Sequence, residues 1–453
     1  MHVYFANITK NLPTSHSFSL YLYQKGSLVK KIFICFLFLL LPLLRSLAQD
    51  KPKTGWVFTP MPNVGYTTDI GVTLGAYSDF FYYGDGSTYP NFLHHAGFSA
   101  AYATKGSWYA HFYFESPALI ADHRVNASVT YRDAMVNNFY GFNGIASPYD
   151  AALDLNAERR TAWYTNHRRF FRVSGSVMGN IGPHLDWMGG FVFRHVRMED
   201  FSLEKYDSGH SLFTAYRDIG LIREDEFAGG TSLEFKGGVV YDSRDVELSP
   251  GRGMYGELYL VGNAALGHWK YSYAQLVAHF RHYVTLVPER LVFAWHLGLQ
   301  HQFAGEIPYY NLNEVATIFY PYEEICGLGS RVTVRGIRYN RVMAAGYAWG
   351  NFEFRFIPFR FRLFNQDVNL VLNPFADLCA ITRPYRLEEQ KKLSGIYPEL
   401  NLWQDRSLPV MAAFGLGGKI QINTNFILSL DVGRGLDPQV SDWTIGMATT
   451  YVF

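Results

Sequence analysis

An all-β fold is what this sequence predicts: a single transmembrane antiparallel β-barrel of about sixteen strands. Three observations lead there. A secretory signal precedes the bulk of the chain. Period-two alternation of apolar and polar residues then runs to the last residue. The composition combines abundant Tyr, Phe and Gly with near-neutral hydropathy.

The signal comes first in the chain. Lys30 and Lys31 precede an apolar run from Ile32 to Leu44, and Ser46-Leu47-Ala48 supplies small residues at a cleavage site. A run of about 13 residues is too short to span a bilayer as a helix. The expected division is a signal peptide over 1–48, with a possible N-terminal extension upstream of the lysines, and a barrel over 49–453. Cys35 falls inside the signal.

Composition narrows the class. The 453 residues include 32 Tyr, 36 Phe and 41 Gly, which suits strands with aromatic girdles and a crowded inner wall. A mean hydropathy of −0.06 excludes a polytopic helical membrane protein, whereas alternating strands average to that value. Lys and Arg total 40 against 39 Asp and Glu, so no net basic field is present to draw nucleic acid.

Strands are read from alternation. Ile70, Val72, Leu74, Ala76 and Phe80 share one face and Asp69, Gly71, Thr73, Gly75 and Asp79 the other. Trp108, Ala110, Phe112 and Phe114 oppose Tyr109, His111, Tyr113 and Glu115 in the same way. The sixteen expected strands lie near 55–62, 69–82, 94–104, 107–116, 122–132, 159–179, 184–200, 230–243, 253–264, 270–285, 290–304, 344–358, 368–382, 408–421, 425–434 and 443–453. Long connectors at 133–158, 201–229, 305–343 and 383–407 all follow odd-numbered strands, and short turns follow even-numbered ones; 83–93 is the exception. Bacterial outer-membrane barrels have this parity, with short periplasmic turns and long external loops, so both termini are expected in the periplasm. Polar faces carrying Arg, Glu, Asp and Gly suit a wet lumen better than the core of a soluble sandwich.

The last strand alternates Trp443, Ile445, Met447, Tyr451 and Phe453 with small or polar residues. Its aromatic end resembles the signal read by the outer-membrane assembly machinery, which marks Tyr451 and Phe453 as targeting residues. That machinery, during insertion, and outer-membrane lipids are the partners so implied.

Residues 327–337, Gly-Leu-Gly-Ser-Arg-Val-Thr-Val-Arg-Gly-Ile, close the longest loop, the sixth on the outer side. Here the chain resembles the bacterial surface antigen family, the barrel of the superfamily that holds the BamA and TamA assembly factors and the two-partner secretion translocators. The family hallmark is a Val-Arg-Gly-aromatic loop tip folded into the lumen; the tip here is Val334, Arg335, Gly336 and Ile337, with an aliphatic last residue. Asn351-Phe-Glu353-Phe-Arg355-Phe on strand twelve and Phe375-Ala-Asp377 on strand thirteen also match, as do Tyr241–Asp245 with Pro250–Gly253, and Phe139–Gly144. The resemblance spans most of the chain after the signal.

It implies an internal latch. Glu353 and Asp377 fall on the inward faces of adjacent strands, where two carboxylates can accept the forked hydrogen bonds of Arg335. Gly336 permits a tight backbone turn. The alternative is a solvated Arg335 above two acids that merely line a wet pore. Cys326 and Cys379 would meet if the loop reaches Asp377. They form either a disulfide or two free, buried thiols.

Family members usually carry periplasmic POTRA domains, yet about half a dozen residues separate Ala48 from the first strand. A barrel-only protein with a separate periplasmic partner is therefore expected. No zinc-like His/Cys spacing, phosphate loop or nucleophile elbow occurs. His94 and His95 point to opposite faces, and Asp207, Ser208 and His210 are a grouping that chance supplies. We therefore expect no cofactor, no metal and no enzyme. The leading function is outer-membrane biogenesis or passage of a polypeptide or lipid, worked at the seam between the first strand and residues near 443–453. A passive pore or a surface-exposed structural barrel is the alternative, with an outer-membrane hydrolase third.

Overall fold

The computed structural model describes residues 52–67, 70–89, 91–206, 210–318, 327–330, 333–363, 366–404, 410–422, 426–441, 443–448 and 451–453. Sixteen strands form one sheet in chain order. They are β1 (Trp56–Thr67), β2 (Gly71–Tyr82), β3 (His94–Ala103), β4 (Trp108–Ile120), β5 (His123–Asn138), β6 (Thr165–Gly182), β7 (Leu185–Asp200), β8 (Gly229–Asp242), β9 (Gly253–Leu266), β10 (Tyr273–Val287), β11 (Leu291–Gly305), β12 (Gly346–Leu363), β13 (Gln366–Arg383), β14 (Met411–Ile422), β15 (Phe426–Gly435) and β16 (Trp443–Ala448). The ladders with a described register are antiparallel throughout, and β1 returns to lie beside β16. No helix among the described residues is long and apolar enough to cross a membrane.

Alternation decides which side chains face out. Phe98, Phe112, Phe191, Phe235, Leu258, Leu260, Leu297, Phe354 and Phe356 are exposed on the outer wall. Their strand neighbours Ser99, His111, Val192, Glu234, Tyr259, His296, Glu353 and Arg355 are buried inside. An apolar exterior around a polar interior is the reverse of a soluble protein and fits a lipid surround. Trp56 and Trp187 mark the short-turn end of the outer wall, and Trp108, Trp269 and Trp443 the long-loop end; all five are exposed. Indole rings at both rims are the expected girdles.

Long loops close one end of the sheet. We label them by hairpin order: L3 (139–164), L4 (201–228), L6 (306–345), L7 (384–410) and L8 (436–442). L4 contains α1 (Leu212–Asp218) and α2 (Glu224–Phe227), and L7 contains α3 (Leu387–Ile396). Ser211 caps α1 by accepting from the Thr214 N–H at 3.1 Å. Phe139, Phe142, Phe213, Tyr216, Leu221, Ile222, Tyr309 and Tyr385 form an apolar cluster between these loops. Asn143 sits in the left-handed region at φ 63° and ties L3 to L7, donating to Tyr385 O at 2.8 Å and accepting from Tyr385 N at 2.7 Å.

Several strand boundaries differ from the sequence reading: β4, β5 and β12 run on to Ile120, Asn138 and Leu363, past 116, 132 and 358, and β1, β6 and β16 differ as follows. β1 runs to Thr67 rather than 62, despite Pro60 and Pro62. An edge strand tolerates proline when its missing donor faces away from the ladder partner. β6 starts at Thr165 rather than 159, because 156–161 make their own Asn156–Thr161 bridge. β16 is described over Trp443–Ala448, and Tyr451–Phe453, expected in the same strand, are not in the ladder.

Candidate functional site

Alternation on β12 turns Asn351, Glu353 and Arg355 inward, and on β13 it turns Asn373, Phe375, Asp377 and Cys379 inward. Together these make a patch of wall with two carboxylates and one cation. The tip of L6 comes down onto that patch.

Arg335 is buried at 3% exposure, and each of its side-chain nitrogens donates to an acceptor. Nε and Nη2 donate to the two oxygens of Asp377, both at 2.9 Å, and the backbone N–H adds a third bond to Asp377 at 2.8 Å. Nη1 donates to Glu353 Oε2 at 2.7 Å and to Asn373 Oδ1 at 3.4 Å. The guanidinium lies 3.8 Å above the Phe375 ring. A planar fork suits this geometry and a lysine ammonium does not. Asn351 adds a bond from Nδ2 to Thr333 O at 2.7 Å, holding the strand of loop just before the tip.

Backbone space completes the fit. Gly336 has φ +76°, and a Cβ there would stand 2.8 Å from Ala413 Cβ and 3.0 Å from Arg434 N. The facing wall is itself glycine: a Cβ on Gly433 would lie 3.0 Å from Gly336 Cα. Val334 and Ile337 are buried among Leu328, Val342, Tyr347, Trp349, Cys379, Met411 and Ala413. Every tip residue singled out in the sequence is therefore in this one place, with Glu353 and Asp377. Cys379 is fully buried in the same cluster, while Cys326, its suggested disulfide partner, lies outside the described residues.

A second fastening of L6 was not foreseen. Glu314, where the loop descends, pairs with Arg168 of β6 at 2.7 Å and Arg194 of β7 at 2.6 Å. Arg168 also donates to Asn313 Oδ1 at 3.0 Å, and Lys236 of β8 donates to Ile318 O at 2.6 Å. The partners lie up to 146 residues apart in the chain, and no local spacing announces them. At the mouth, Arg341 of L6 is 0% exposed and has carbonyl partners in two loops. It donates to Gly144 O at 2.8 Å and Ser147 O at 2.7 Å of L3, and to Gln439 O at 2.9 Å of L8.

Other candidates separate. His94 faces out, with Ser116 Oγ at 2.8 Å, whereas His95 faces in, with Asp79 Oδ1 at 2.9 Å. Asp207 and Ser208 lie outside the described residues, and His210 is exposed. No group of three His, Cys, Asp or Glu residues suited to a metal occurs among the described residues.

Tyr451 and Phe453 are not where alternation places them. Trp443 and Ile445 are each 64% exposed on the outer wall, yet Tyr451 and Phe453 are each 7% exposed. Both rings lie against Arg355 on the inner wall, at 3.8 and 5.5 Å from its guanidinium carbon. Arg355 in turn donates to Glu353 Oε1 at 2.8 Å.

Comparison with known proteins agrees with this geometry. Residues 94–428 match the Omp85 superfamily domain. The barrel is similar to the crystal structure of BamA from Haemophilus ducreyi lacking POTRA domains 1–3, with a TM-score of 0.54 and 15% identity over 88% of this chain and 70% of that one. It is also similar to CdiB from Escherichia coli, with a TM-score of 0.50 and 11% identity over 88% of this chain and 62% of that one. The chain thus spans less than two thirds of that CdiB. No curated protein matches the sequence. With three quarters of its length in the family match and sixteen strands in one antiparallel sheet, the chain belongs to the Omp85 superfamily of outer-membrane β-barrels.

Proposed function

We propose that this barrel works in outer-membrane biogenesis or in passage of a polypeptide or lipid, using the β1–β16 seam as its working edge and L6 as an internal latch. The seam carries the reading. β1 and β16 are the two ends of the sheet order, and among the described residues no β1–β16 ladder is present. Pro60 and Pro62 share a parity on β1, so both missing donors fall on one edge. That edge faces the seam, because the other is engaged with β2. A seam short of hydrogen bonds opens at lower cost than a fully laddered pair of strands.

The passive-pore reading loses support from the same architecture, since L3, L4, L6 and L7 pack an apolar cap over one end. The test is a disulfide across the seam, Val64→Cys with Ile445→Cys, in proteoliposomes offered an unfolded outer-membrane barrel as client. Insertion of the client stops on oxidation and returns on reduction. Insertion unchanged by the crosslink, or a large constant conductance in planar bilayers, overturns the reading in favour of a pore or a structural barrel.

A further inference from the structure

The β8–β9 turn, residues 243–252, lies at the short-turn end of the barrel. It carries most of the Tyr241–Asp245 and Pro250–Gly253 segments, which neither the seam nor the latch uses. Asp245 pinches its neck, accepting from the N–H groups of Val246 at 2.9 Å, Gly251 at 3.0 Å and Arg252 at 3.3 Å. Arg244 forks onto Asp242 at 2.9 and 2.7 Å, and its Nη1 donates to Glu247 O at 2.8 Å. Gly253 closes the neck at φ +102°, where a Cβ would stand 2.2 Å from Ser243 O. These bonds make the turn a built arm and not a slack connection.

The far end of the arm is bonded to other parts of the wall. Arg124 Nη2 of β5 donates to Glu247 Oε1 at 3.3 Å, and Gln421 Nε2 of β14 donates to Ser249 Oγ at 3.2 Å. Thr285 Oγ1 of β10 donates to Gly251 O at 2.8 Å, and Arg355 Nη1 of β12 to Pro250 O at 3.4 Å. Arg355 is itself fixed to the wall by Glu353 at 2.8 Å. In the order of sixteen strands, β5 stands three places before β8 and β14 five places after β9. With β1 beside β16, β5 and β14 lie nearly opposite each other across the bore. A turn bonded to both must cross the bore. A turn of this length can reach about 15 Å from its base and return.

We propose that the β8–β9 turn is a strap that closes the periplasmic mouth of the bore, in series with L6, which closes it from the outer end. Passage through the bore then needs two releases, one at each end of the molecule. The inference goes beyond the seam reading, which uses the edge of the sheet and not the bore, and neither depends on the other.

Two measurements on the full-length protein test it. The first uses cysteine pairs, Ser249→Cys with Gln421→Cys and Glu247→Cys with Arg124→Cys. A short bifunctional thiol reagent joins each pair, and mass spectrometry finds the turn linked to β14 in one protein and to β5 in the other. Failure of either link overturns the strap. The second is conductance in planar bilayers. Glu247→Ala with Ser249→Ala releases the far end of the turn, and Arg335→Lys loosens the latch. Either change alone passes little current, and the two together raise the conductance at least tenfold over either. A combination that conducts no better than one of its parts overturns the closure in series. Where Arg335→Lys does not fold, Glu314→Gln, which loosens L6 at its other fastening, takes its place. Client insertion in proteoliposomes is read separately, so failure of the strap and failure of the seam reading are told apart.

Discussion

Loop L6 is fastened at two places, and the two fastenings use charge in opposite senses. At the tip the loop supplies the cation, Arg335, and the wall supplies two carboxylates, Glu353 and Asp377. On the descending limb the loop supplies the carboxylate, Glu314, and the wall supplies two cations, Arg168 and Arg194. The tip concentrates its hold in one side chain with every nitrogen engaged. The limb spreads its hold over Glu314, Asn313 and two backbone carbonyls reached by Lys236. A concentrated anchor is specific and intolerant of substitution, whereas a distributed one loses a contact and keeps the rest.

The comparison can be broken at its stronger end first. Arg335→Ala leaves Glu353 facing Arg355 but strips Asp377 of its cation, and removing one partner of a buried pair costs about 3–5 kcal/mol. The expected outcome is a large drop in the urea midpoint in detergent, with new protease cleavage in L6. An unchanged midpoint means that the tip does not hold the loop. Glu314→Gln keeps the side chain's shape and one acceptor, and Arg168 retains Asn313, so the loss is about 1–3 kcal/mol by the same measurement. A loss as large as that of Arg335→Ala would make the two anchors equal and cancel the contrast. Lys236→Met removes the donor to Thr317 O and Ile318 O but keeps an apolar stem, for about 1 kcal/mol. The smallest quantity is the coupling between Arg335→Ala and Glu314→Gln in a double-mutant cycle. Independent anchors give additivity within about 0.5 kcal/mol, and a larger coupling shows that L6 moves as one body.

Much of the fold could be read in the sequence because the lumen and the lipid impose period two on every strand. The sixteen strands and the parity of the long loops follow from that alone. The tip was legible for another reason: Val334-Arg335-Gly336 is contiguous, and its acceptors stand at predictable inward positions. Glu314 was not legible, since Arg168, Arg194 and Lys236 each look like ordinary inward charges until the loop is placed among them. The cap was missed because aromatics such as Phe213 and Tyr309 sit in irregular segments where no period sorts inside from outside. The inward turn of Tyr451 and Phe453 went unseen because alternation cannot announce the point where a strand leaves its ladder. A signal for the seam was present in Pro60 and Pro62, which are acceptable only on an edge.

The two anchors also differ in how far apart along the chain their partners lie, and that sets an order of events. Arg335 and Asp377 are separated by 42 residues, whereas Arg168 and Glu314 are separated by 146. Closing a long stretch of chain costs more entropy and comes later than closing a short one. The tip can therefore seat while the first half of the wall is still absent, and the limb closes only when β6 and β7 arrive. A barrel arrested halfway would hold its loop by the tip alone, with Arg168 and Arg194 still lacking their shared counter-charge. Arg194 then still has Glu234 of β8 at 3.5 Å, so Arg168 is the wall cation whose ion pair waits for Glu314.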